Sequence, residues 1–381
     1  MRILHTSDWH LGRVFHDHRL LPDQAKFLGD LLAHLGEVRY DALIIAGDIF
    51  DLNVPSEEAV ATWNRFLEAF VETCPETTLV AIAGNHDSGT RVSVGSRLIE
   101  KARVHIRGGA ERLEEPVPVV DAQGRIARVW LVPFLWSGSL VKDGEEGGLV
   151  LRTQEEALTE AIQRIRTRLD PAELNLLVAH CFASGGKVSD SERTLVGTAV
   201  QVDPWIFEGF DYVALGHLHR SQALSPRVCY SGSPIAYSFS EAGQAKSMTS
   251  VTLGEGVDPE LVKVSITPLR PMKDLQGTMK ELQEDPQYAG LEGTYVRVSL
   301  TEPAGVSQPV ARLRLRFPLL LDFKDFTAPS GASSGSLPDL RKVDLLEEFK
   351  AFEQRLRGED GASERLIATF TQLREEVEKS R

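Results

Sequence analysis

Five short polar motifs, each placed directly after an apolar run, constrain this chain more than any other feature of its sequence. The motifs are, in chain order, Asp8-Trp9-His10, Gly47-Asp48-Ile49-Phe50-Asp51, Gly84-Asn85-His86-Asp87, His180 and Gly216-His217-Leu218-His219. The preceding runs are rich in Ile, Leu, Val and Ala, which is typical of buried strands. Since the loops at the ends of strands converge on a site in α/β folds, the five motifs are expected to share one site.

These motifs offer carboxylate oxygens and imidazole nitrogens, a ligand set that suits divalent transition metals. Residues at i and i+2 of an extended segment share a face, so Asp8 with His10, and His217 with His219, are expected to point the same way. A glycine directly precedes three of the candidate ligands and allows the chain to turn sharply there, at Gly47, Gly84 and Gly216. A lone histidine such as His180 is more often a satisfied core residue, so the metal prediction depends on the five motifs together.

Strand-like and helix-like stretches alternate through residues 1–260 and predict an α/β sandwich. The apolar runs predict strands over 2–8, 41–48, 78–84, 175–180, 212–217 and 228–232. A proline at a first-turn position predicts a helix over 22–35. Ser56 and the two acids after it predict a helix over 56–73, and a third helix is expected over 151–169.

The pattern changes beyond residue 260. Residues 261–326 alternate like strands around one helical piece at 272–285, which predicts a small α+β domain. Residues 327–338 are rich in Ser, Gly, Ala and Pro and predict a flexible linker. Apolar residues recur every three or four residues in the tail 339–381, which predicts two amphipathic helices.

Global features argue against several classes of protein. The sequence has no run of about 18 apolar residues to span a membrane, and its first residues lack the apolar core of a signal peptide. Three cysteines without a C-x-x-C pair argue against a disulfide framework and predict a cytoplasmic protein. The 42 basic and 55 acidic residues give a net charge of −13, which argues against a nucleic-acid binder with a broad basic face.

Taken together, D-x-H, G-D-x-x-D, G-N-H-D, a lone histidine and G-H-x-H resemble the calcineurin-like metallophosphoesterases. The opening TSDWHLGRVFH and the block AGDIFD are similar to the nuclease branch of that family, which includes the meiotic-recombination nuclease. The resemblance covers nearly the whole chain, including the small second domain and the tail. It implies a β-sandwich flanked by helices, then a small α+β capping domain that binds DNA, and a C-terminal helical tail.

The resemblance further implies a two-metal site at which water attacks a phosphodiester. The metals would be two Mn²⁺ ions, with Mg²⁺ as the alternative. One cation would take Asp8, His10, Asp48 and His219. The other would take Asp48, Asn85, His180 and His217, so that Asp48 is shared. His86 resembles the catalytic histidine that donates a proton to the leaving oxygen, and Asp51 matches the residue that orients it. An ordinary turn residue is the alternative for Asp51, and Asp87 is expected to be structural.

Basic residues beside the site and in the second domain are candidates for contacts with the DNA backbone. The loop after the first motif offers Arg13, His16 and Arg19. If residues 311–317 form a strand, a stripe on one of its faces would consist of Arg312, Arg314 and Arg316. A solvated loop and a strand edge protected by charge are the alternative interpretations.

Two further contacts are implied by the resemblance. In the family, the helices after the second and third motifs, here 56–73 and roughly 91–103, form a homodimer interface. Its apolar surface here would come from Trp63, Phe66, Leu67 and Phe70. The alternative is that these side chains cover the chain's own sheet. The tail 339–381 would grip an SbcC-type coiled-coil ATPase, unless it packs on its own domain.

The resemblance therefore implies a Mn²⁺-dependent DNA nuclease in an ATP-regulated complex of DNA repair and recombination. It would act as a double-strand exonuclease and as an endonuclease on single strands and hairpins. A phosphatase on the same core is one alternative, although Leu52 stands where phosphoprotein phosphatases carry arginine. A non-catalytic scaffold is another, although this chain keeps every ligand. The acidic net charge then favours a nuclease that works with a partner.

Overall fold

Two six-stranded sheets and one three-stranded sheet organise the described residues up to 326. The computed structural model describes residues 1–142, 149–192 and 201–326, together with 363, 366–367 and 369–371 in the tail. Residues 1–326 form one compact unit, and 327–381 form a second. The predicted linker 327–338 lies outside the described residues, and so does nearly all of the predicted helical tail.

The strands of the three sheets are, in chain order, β1 (Arg2–Thr6), β2 (Ala42–Ile45), β3 (Thr78–Ile82), β4 (Val104–Arg107), β5 (Val117–Val120), β6 (Ile126–Val132), β7 (Leu174–His180), β8 (Tyr212–Gly216), β9 (Gln222–Ser225), β10 (Val228–Tyr230), β11 (Ser247–Thr252), β12 (Glu260–Ser265), β13 (Met272–Gly277), β14 (Tyr295–Leu300) and β15 (Leu320–Lys324). Short two-stranded ribbons pair Val14–Phe15 with His18–Arg19, Val141–Lys142 with Leu149–Val150, and Phe182–Ala183 with Gln201–Val202.

The longer helices are α1 (Leu21–Glu37), α2 (Glu57–Thr73), α3 (Gln154–Arg166), α4 (Met279–Glu284) and α5 (Pro309–Arg314). Single helical turns occur at Gly89–Val92, Ser96–Ile99, Glu100–Ala102, Ala110–Arg112, Pro204–Phe207, Phe239–Glu241 and Pro286–Tyr288. The predicted helices at 22–35, 56–73 and 151–169 are thus confirmed as α1, α2 and α3. The helix expected over roughly 91–103 is broken into short turns instead.

The two large sheets have the same plan. The strand order is β12-β11-β1-β2-β3-β4 in the first sheet and β9-β10-β8-β7-β6-β5 in the second. In each sheet the four strands that include the motif-bearing ones are parallel, and antiparallel strands complete the sheet. Parallel strands put their carboxyl ends on one edge, so this plan brings the five motifs to a common place.

Apolar side chains fill three layers around these sheets. Ile3 and Ile44 of the first sheet pack against Val178 and Ala214 of the second, and all four are fully buried. Helices α1 and α2 cover the outer face of the first sheet, and α3 covers the outer face of the second. This arrangement confirms the predicted α/β sandwich flanked by helices.

Helix α2 packs its aromatic side chains on the chain's own core. The Ser56 hydroxyl caps the helix by accepting a hydrogen bond from the Ala59 amide at 3.2 Å. Three residues proposed for a dimer interface are 5% exposed or less, and they are Trp63, Phe66 and Phe70. The fourth, Leu67, is half-buried. The structure therefore corrects the assignment of Trp63, Phe66 and Phe70, because their rings cover the chain's own sheet, and of the four residues only Leu67 keeps substantial exposed surface.

The small α+β domain predicted over 261–326 belongs to the same compact unit as the residues before it, and its own sheet begins later than expected. Strand β12 pairs with β11 over its full length and so belongs to the first large sheet, although residues 261–265 were expected in the small domain. The small parallel sheet β13-β14-β15 begins only at Met272. The expected helix over 272–285 is also only half correct. Thr278 and Glu281 form a capping box that begins α4 at Met279, which leaves the preceding residues extended.

The predicted strand over 311–317 is wrong. Residues 311–314 of this segment belong to α5, which begins at Pro309 with that proline in its first turn. Leu313 and Phe317, four residues apart, are fully buried, whereas Leu315 between them is 87% exposed. This is the spacing of a helical face, and it removes the predicted arginine stripe. Residues two apart on a helix point to different sides, so Arg312, Arg314 and Arg316 share no common face.

His5 is a fully buried histidine between the two large sheets. Its Nδ1 atom lies 2.9 Å from the Tyr212 hydroxyl, and burial lowers the pKa of His5 from 6.5 to about 3. Unfolded His5 binds a proton below about pH 6.5, but folded His5 stays neutral. The free energy of unfolding should therefore fall by at most about 5 kcal/mol as the pH drops from the unfolded pKa of 6.5 to the folded pKa of about 3.

We expect His5→Gln to remove this contribution. Urea unfolding of the wild type and the variant, both in chelator, should show a stability difference that shifts in favour of the variant as the pH falls from about 7 to 5. Parallel pH profiles for the two proteins would contradict the assignment.

Two global expectations concern membranes and cysteines. Among the described residues, no helix combines the length and the apolar composition that crossing a membrane requires. Cys74, Cys181 and Cys229 are buried free cysteines, in agreement with the expectation that the chain has no disulfide framework.

Candidate metal centre

The candidate ligands lie in turns just beyond the strands, except for His180, which is the last residue of β7. Strand β1 ends at Thr6 and strand β8 at Gly216, before the ligands that follow them. Left-handed backbone torsions occur at four ligand positions, with φ of 56° at Asp8, 45° at His10, 50° at Asp48 and 104° at His217. Such torsions are uncommon for residues other than glycine and cluster at functional sites. The backbone at these ligands is thus turned and not extended as predicted, although Asp8 and His10 do bring their ligand atoms within 4.8 Å of each other.

Two motif glycines are required for different reasons. Gly47 has a φ of +93°, and a Cβ atom there would lie 2.3 Å from His180 Nδ1. Gly84 has an ordinary torsion, but a Cβ atom there would lie 2.2 Å from Asp48 Oδ1. The sharp turn predicted at each glycine therefore holds for Gly47. At Gly84 the requirement is the close approach of two motifs.

We expect Gly84→Ala to displace the Asp48 carboxylate and to weaken Mn²⁺ binding, measured by calorimetry, by at least about tenfold. Gly29→Ala is a matched control, because a Cβ at this position in α1 meets nothing within 4 Å. The control should keep its Mn²⁺ affinity and gain up to about 1 kcal/mol of stability. Normal affinity in Gly84→Ala would show that the close approach is not needed.

The first candidate ligand group consists of Asp8, His10 and His219. One ligand atom from each lies within 4.8 Å of the others, and all three side chains are buried. The Nε2 atoms of His10 and His219 face each other at 3.1 Å. Asp8 also accepts a hydrogen bond from the His217 amide at 2.9 Å, which joins the first motif to the fifth. This group matches three of the four ligands predicted for one cation.

The second group gathers around Asn85 Oδ1. His180 Nε2 lies 3.0 Å from this oxygen and His217 Nδ1 lies 2.9 Å from it. Since the Ala46 carbonyl can only accept, His180 Nδ1 donates to it at 2.8 Å, and Nε2 carries a lone pair in the neutral ring. Two acceptors, His180 Nε2 and Asn85 Oδ1, then face each other and need a shared proton or cation. The donor set therefore fits a metal.

Asp48 lies between the two groups. Its Oδ2 atom is 3.6 Å from His10 Nε2 and 3.5 Å from His180 Nε2. Burial alone would raise the pKa of Asp48, but His180 and His10 hold it well below its usual range. Although burial would lower it, the same contact raises the pKa of His180 to about 9. An ionised carboxylate placed in this way can serve both groups.

His86 is oriented by Asp51, but through a different atom from the one expected. His86 Nδ1 lies 2.8 Å from the backbone carbonyl of Asp51 and 3.9 Å from its carboxylate. The Asp51 carboxylate instead contacts Arg13 at 3.1 Å and His10 Nδ1 at 3.4 Å. Ligand atoms of His10, Asp48 and His86 also lie within 4.8 Å of one another. His86 is thus close enough to take part in binding or in proton transfer.

Asp87 supports the backbone around the site. Its carboxylate accepts hydrogen bonds from the amides of Ile49, Phe50 and Gly84 at 2.8–3.0 Å. Burial and the neighbouring Asp48 raise the pKa of Asp87 to about 7. These contacts hold the second motif against the third, which agrees with the structural role expected for Asp87.

The other basic residues named from the sequence are scattered. Arg13 is largely buried and lies over the Tyr237 ring at 5.1 Å. His16 and Arg19 are exposed in a two-stranded ribbon, where Arg19 pairs with Glu58 at 2.9 Å. Arg312 and Arg314 are exposed on α5. Arg316 instead donates to the carbonyls of Leu282 and Asp285, so it anchors α4.

Sequence reasoning missed several residues that contact the candidate ligands. Ser7 donates to Asp8, Ser191 contacts His219 Nδ1, and Glu192 accepts from the His219 amide. Glu241 lies 3.6 Å from His219 Nδ1. Burial would lower the pKa of His219, but Glu241 raises it. Ser191, Glu192 and Glu241 lie outside the strand-end motifs, where hydroxyl and acidic residues are common, so only their proximity identifies them. Ser7 directly follows β1 and precedes Asp8, and this place beside the first motif could have identified it.

Comparison with known proteins identifies the family of this chain. Residues 1–221 match the calcineurin-like phosphoesterase family. The SbcD component of nuclease SbcCD from Staphylococcus epidermidis is 30% identical over 329 residues, which cover 84% of this chain and 84% of that protein. A dimetal phosphatase from Danio rerio is 12% identical, with a TM-score of 0.37 over 69% of this chain and 98% of that chain. The chain therefore belongs to the calcineurin-like phosphoesterases and, within them, to the SbcD family of nuclease components.

Proposed function

We propose that this protein is a Mn²⁺-dependent DNA nuclease that hydrolyses phosphodiester bonds at the five-motif site. The observation that carries the proposal is the convergence of candidate ligands from all five motifs, in a chain that is 30% identical to the SbcD component of nuclease SbcCD. The substrates would be duplex ends, hairpins and single strands, and the biological setting DNA repair and recombination.

Two cations would share the site. Asp8, His10, Asp48 and His219 would hold one. Asp48, Asn85, His180 and His217 would hold the other. The position of Asp48 Oδ2, about equally far from His10 Nε2 and His180 Nε2, supports its role as the shared ligand. When bound, such a cation pair lowers the pKa of a bound water and stabilises the attacking and leaving oxygens of a phosphodiester.

His86 would donate a proton to the leaving oxygen. Its ring is 5% exposed and packs edge-on against His10, with ring centroids 4.6 Å apart, which holds it beside the ligands. The Asp51 carbonyl accepts from Nδ1, so the proton available for transfer is the one on Nε2. Asp51 would thus orient His86 through its main chain while its carboxylate positions Arg13 and His10.

The proposed nuclease would act with partners. The relative is named as one component of SbcCD, and this chain would likewise join an SbcC-type coiled-coil ATPase that regulates it. The tail 339–381 is proposed for that contact, and a homodimer is proposed for the nuclease itself. The net charge of −13 supports the proposal that the nuclease acts with a partner, because a strongly acidic protein needs a partner or local arginines to hold DNA.

A substrate comparison tests the proposal. The protein with Mn²⁺ should degrade labelled linear duplex and cut hairpin DNA, and chelator should abolish both reactions. Under the same conditions p-nitrophenyl phosphate should be a poor substrate, because the proposed site acts on diesters. Fast release of nitrophenol with intact DNA would favour a phosphomonoesterase and would end the nuclease proposal.

A further inference from the structure

A chain of buried hydrogen bonds leads from the candidate ligand His219 to Lys246. The Ser191 hydroxyl lies 2.7 Å from His219 Nδ1 and 2.5 Å from Glu241 Oε1. The ammonium group of Lys246 donates to Glu241 Oε2 and, at 3.2 Å, to the His219 carbonyl. All four side chains belong to residues that are at most 8% exposed.

The number of protons in this chain fixes the state of His219. Glu241 is ionised beside the Lys246 ammonium group and can only accept. The Ser191 hydroxyl has one proton and uses it toward the ionised Glu241, its shortest contact, and not toward the neutral Ser189 hydroxyl at 2.9 Å. Ser191 must then accept from His219, so the imidazole proton sits on Nδ1. The lone pair is left on Nε2, which faces His10 Nε2 at 3.1 Å.

We propose that Ser191 and Glu241 are positioning residues that fix His219 in the tautomer with Nε2 free to bind a cation. Histidine ligands of metals commonly donate their second N–H to a carboxylate or carbonyl, which fixes the tautomer and the ring orientation. Here the Ser191 hydroxyl lies between His219 Nδ1 and the Glu241 carboxylate and joins them through two hydrogen bonds. The inference rests on the metal centre of the proposed function and does not depend on the substrate.

The segments that contain Ser191 and Lys246 also bind the main chain of His219. The Glu192 carboxylate, next to Ser191, accepts from the His219 amide at 2.8 Å. Lys246 binds the His219 carbonyl on the other side. The Ser191 hydroxyl contacts the ring of His219, whereas Glu192 and Lys246 bind its main chain. The position of the ring proton is therefore the property that a merely supporting role of Ser191 would leave unchanged.

The test uses Ser191→Ala, in which the hydroxyl is lost without leaving a buried charge. Nitrogen NMR of the metal-free protein in alkaline solution should show His219 protonated on Nδ1 in the wild type and a mixture of tautomers in the variant. Mn²⁺ affinity, measured by calorimetry, should fall about 10- to 100-fold. Ser191→Thr restores the hydroxyl and should rescue both properties.

Two further variants sharpen the result. The Glu241→Gln amide can donate to Ser191, which lets the hydroxyl turn toward His219, so part of the proton should move to Nε2. Ser247→Ala is the control, because the buried Ser247 hydroxyl has no hydrogen-bond partner among the described residues, and His219 should keep its tautomer. Unchanged tautomers in both Ser191→Ala and Glu241→Gln would overturn the proposal, whatever their nuclease activity.

Discussion

His86→Ala should lose about 10²- to 10⁴-fold in the rate of phosphodiester cleavage while retaining the affinity of the protein for Mn²⁺. The physical reason is that a positioned general acid contributes a rate factor of that size by protonating the leaving oxygen. His86 lies beside the ligands, with Nδ1 bonded to the Asp51 carbonyl, and the predicted cation ligands are complete without it. Single-turnover cleavage and calorimetry on the same preparation measure the two properties.

The control for this experiment is His34→Ala. His34 contacts Tyr40 at 3.0 Å from helix α1 and takes no part in the site, so cleavage should be unchanged. The alternative outcome for His86 is also specific, because His10, Asp48 and His86 form one of the ligand groups. If His86→Ala loses a cation together with cleavage, His86 is a ligand, and the separation of roles is wrong.

Asp48→Asn should have the largest effect of any single change, because it removes the carboxylate that lies between the two ligand groups. Both cations should bind more than about 100-fold more weakly, and cleavage should fall below detection at ordinary Mn²⁺ concentrations. The loss of the negative charge also leaves His10 and His180 without the carboxylate that they face at 3.6 and 3.5 Å.

Asp41→Asn is the matched control for Asp48→Asn. Asp41 precedes the same strand, β2, and accepts from the Arg2 amide at 2.7 Å. This change should leave cation affinity and cleavage as they are, because parallel strands place the site at their carboxyl ends only. Retention of both cations in Asp48→Asn would contradict the shared-ligand assignment.

The sequence could predict much of the fold because its strong signals are local. Apolar runs mark the parallel strands, and Ser56 with its following acids marks the start of α2. The family match confirms the prediction of a metal-dependent phosphodiester hydrolase. The convergence of the motifs followed from strand order, which places β1, β2 and β3 side by side.

The predictions that were wrong or incomplete depend on tertiary contacts, which a single sequence does not show. Alternating Arg and Leu at 311–317 fit a strand, but tertiary contacts of Leu313 and Phe317 favour a helix. Amphipathic α2 fits an interface as well as a core, and the packing of Trp63 decides between them. The contacts of Ser191 with His219 and Glu241 join residues 28 and 50 positions apart, and no local pattern announces them.

The acidic net charge has also acquired a different meaning. Several of the carboxylates in the first domain are candidate ligands or support them, as Asp8, Asp48, Asp51 and Glu241 do. Bound divalent cations would offset part of this charge at the site itself. An acidic chain is therefore compatible with a nuclease, provided that DNA is held by the cations, local arginines and a partner.

Anomalous diffraction from crystals grown with Mn²⁺ tests the central claim most directly. We expect two manganese peaks in each chain, about 3.5–4 Å apart, with Asp48 contacting both. Asn85, His180 and His217 should surround one peak, and Asp8, His10 and His219 the other. A single peak, or two peaks that Asp48 does not join, would contradict the two-metal site from which the proposed nuclease chemistry follows.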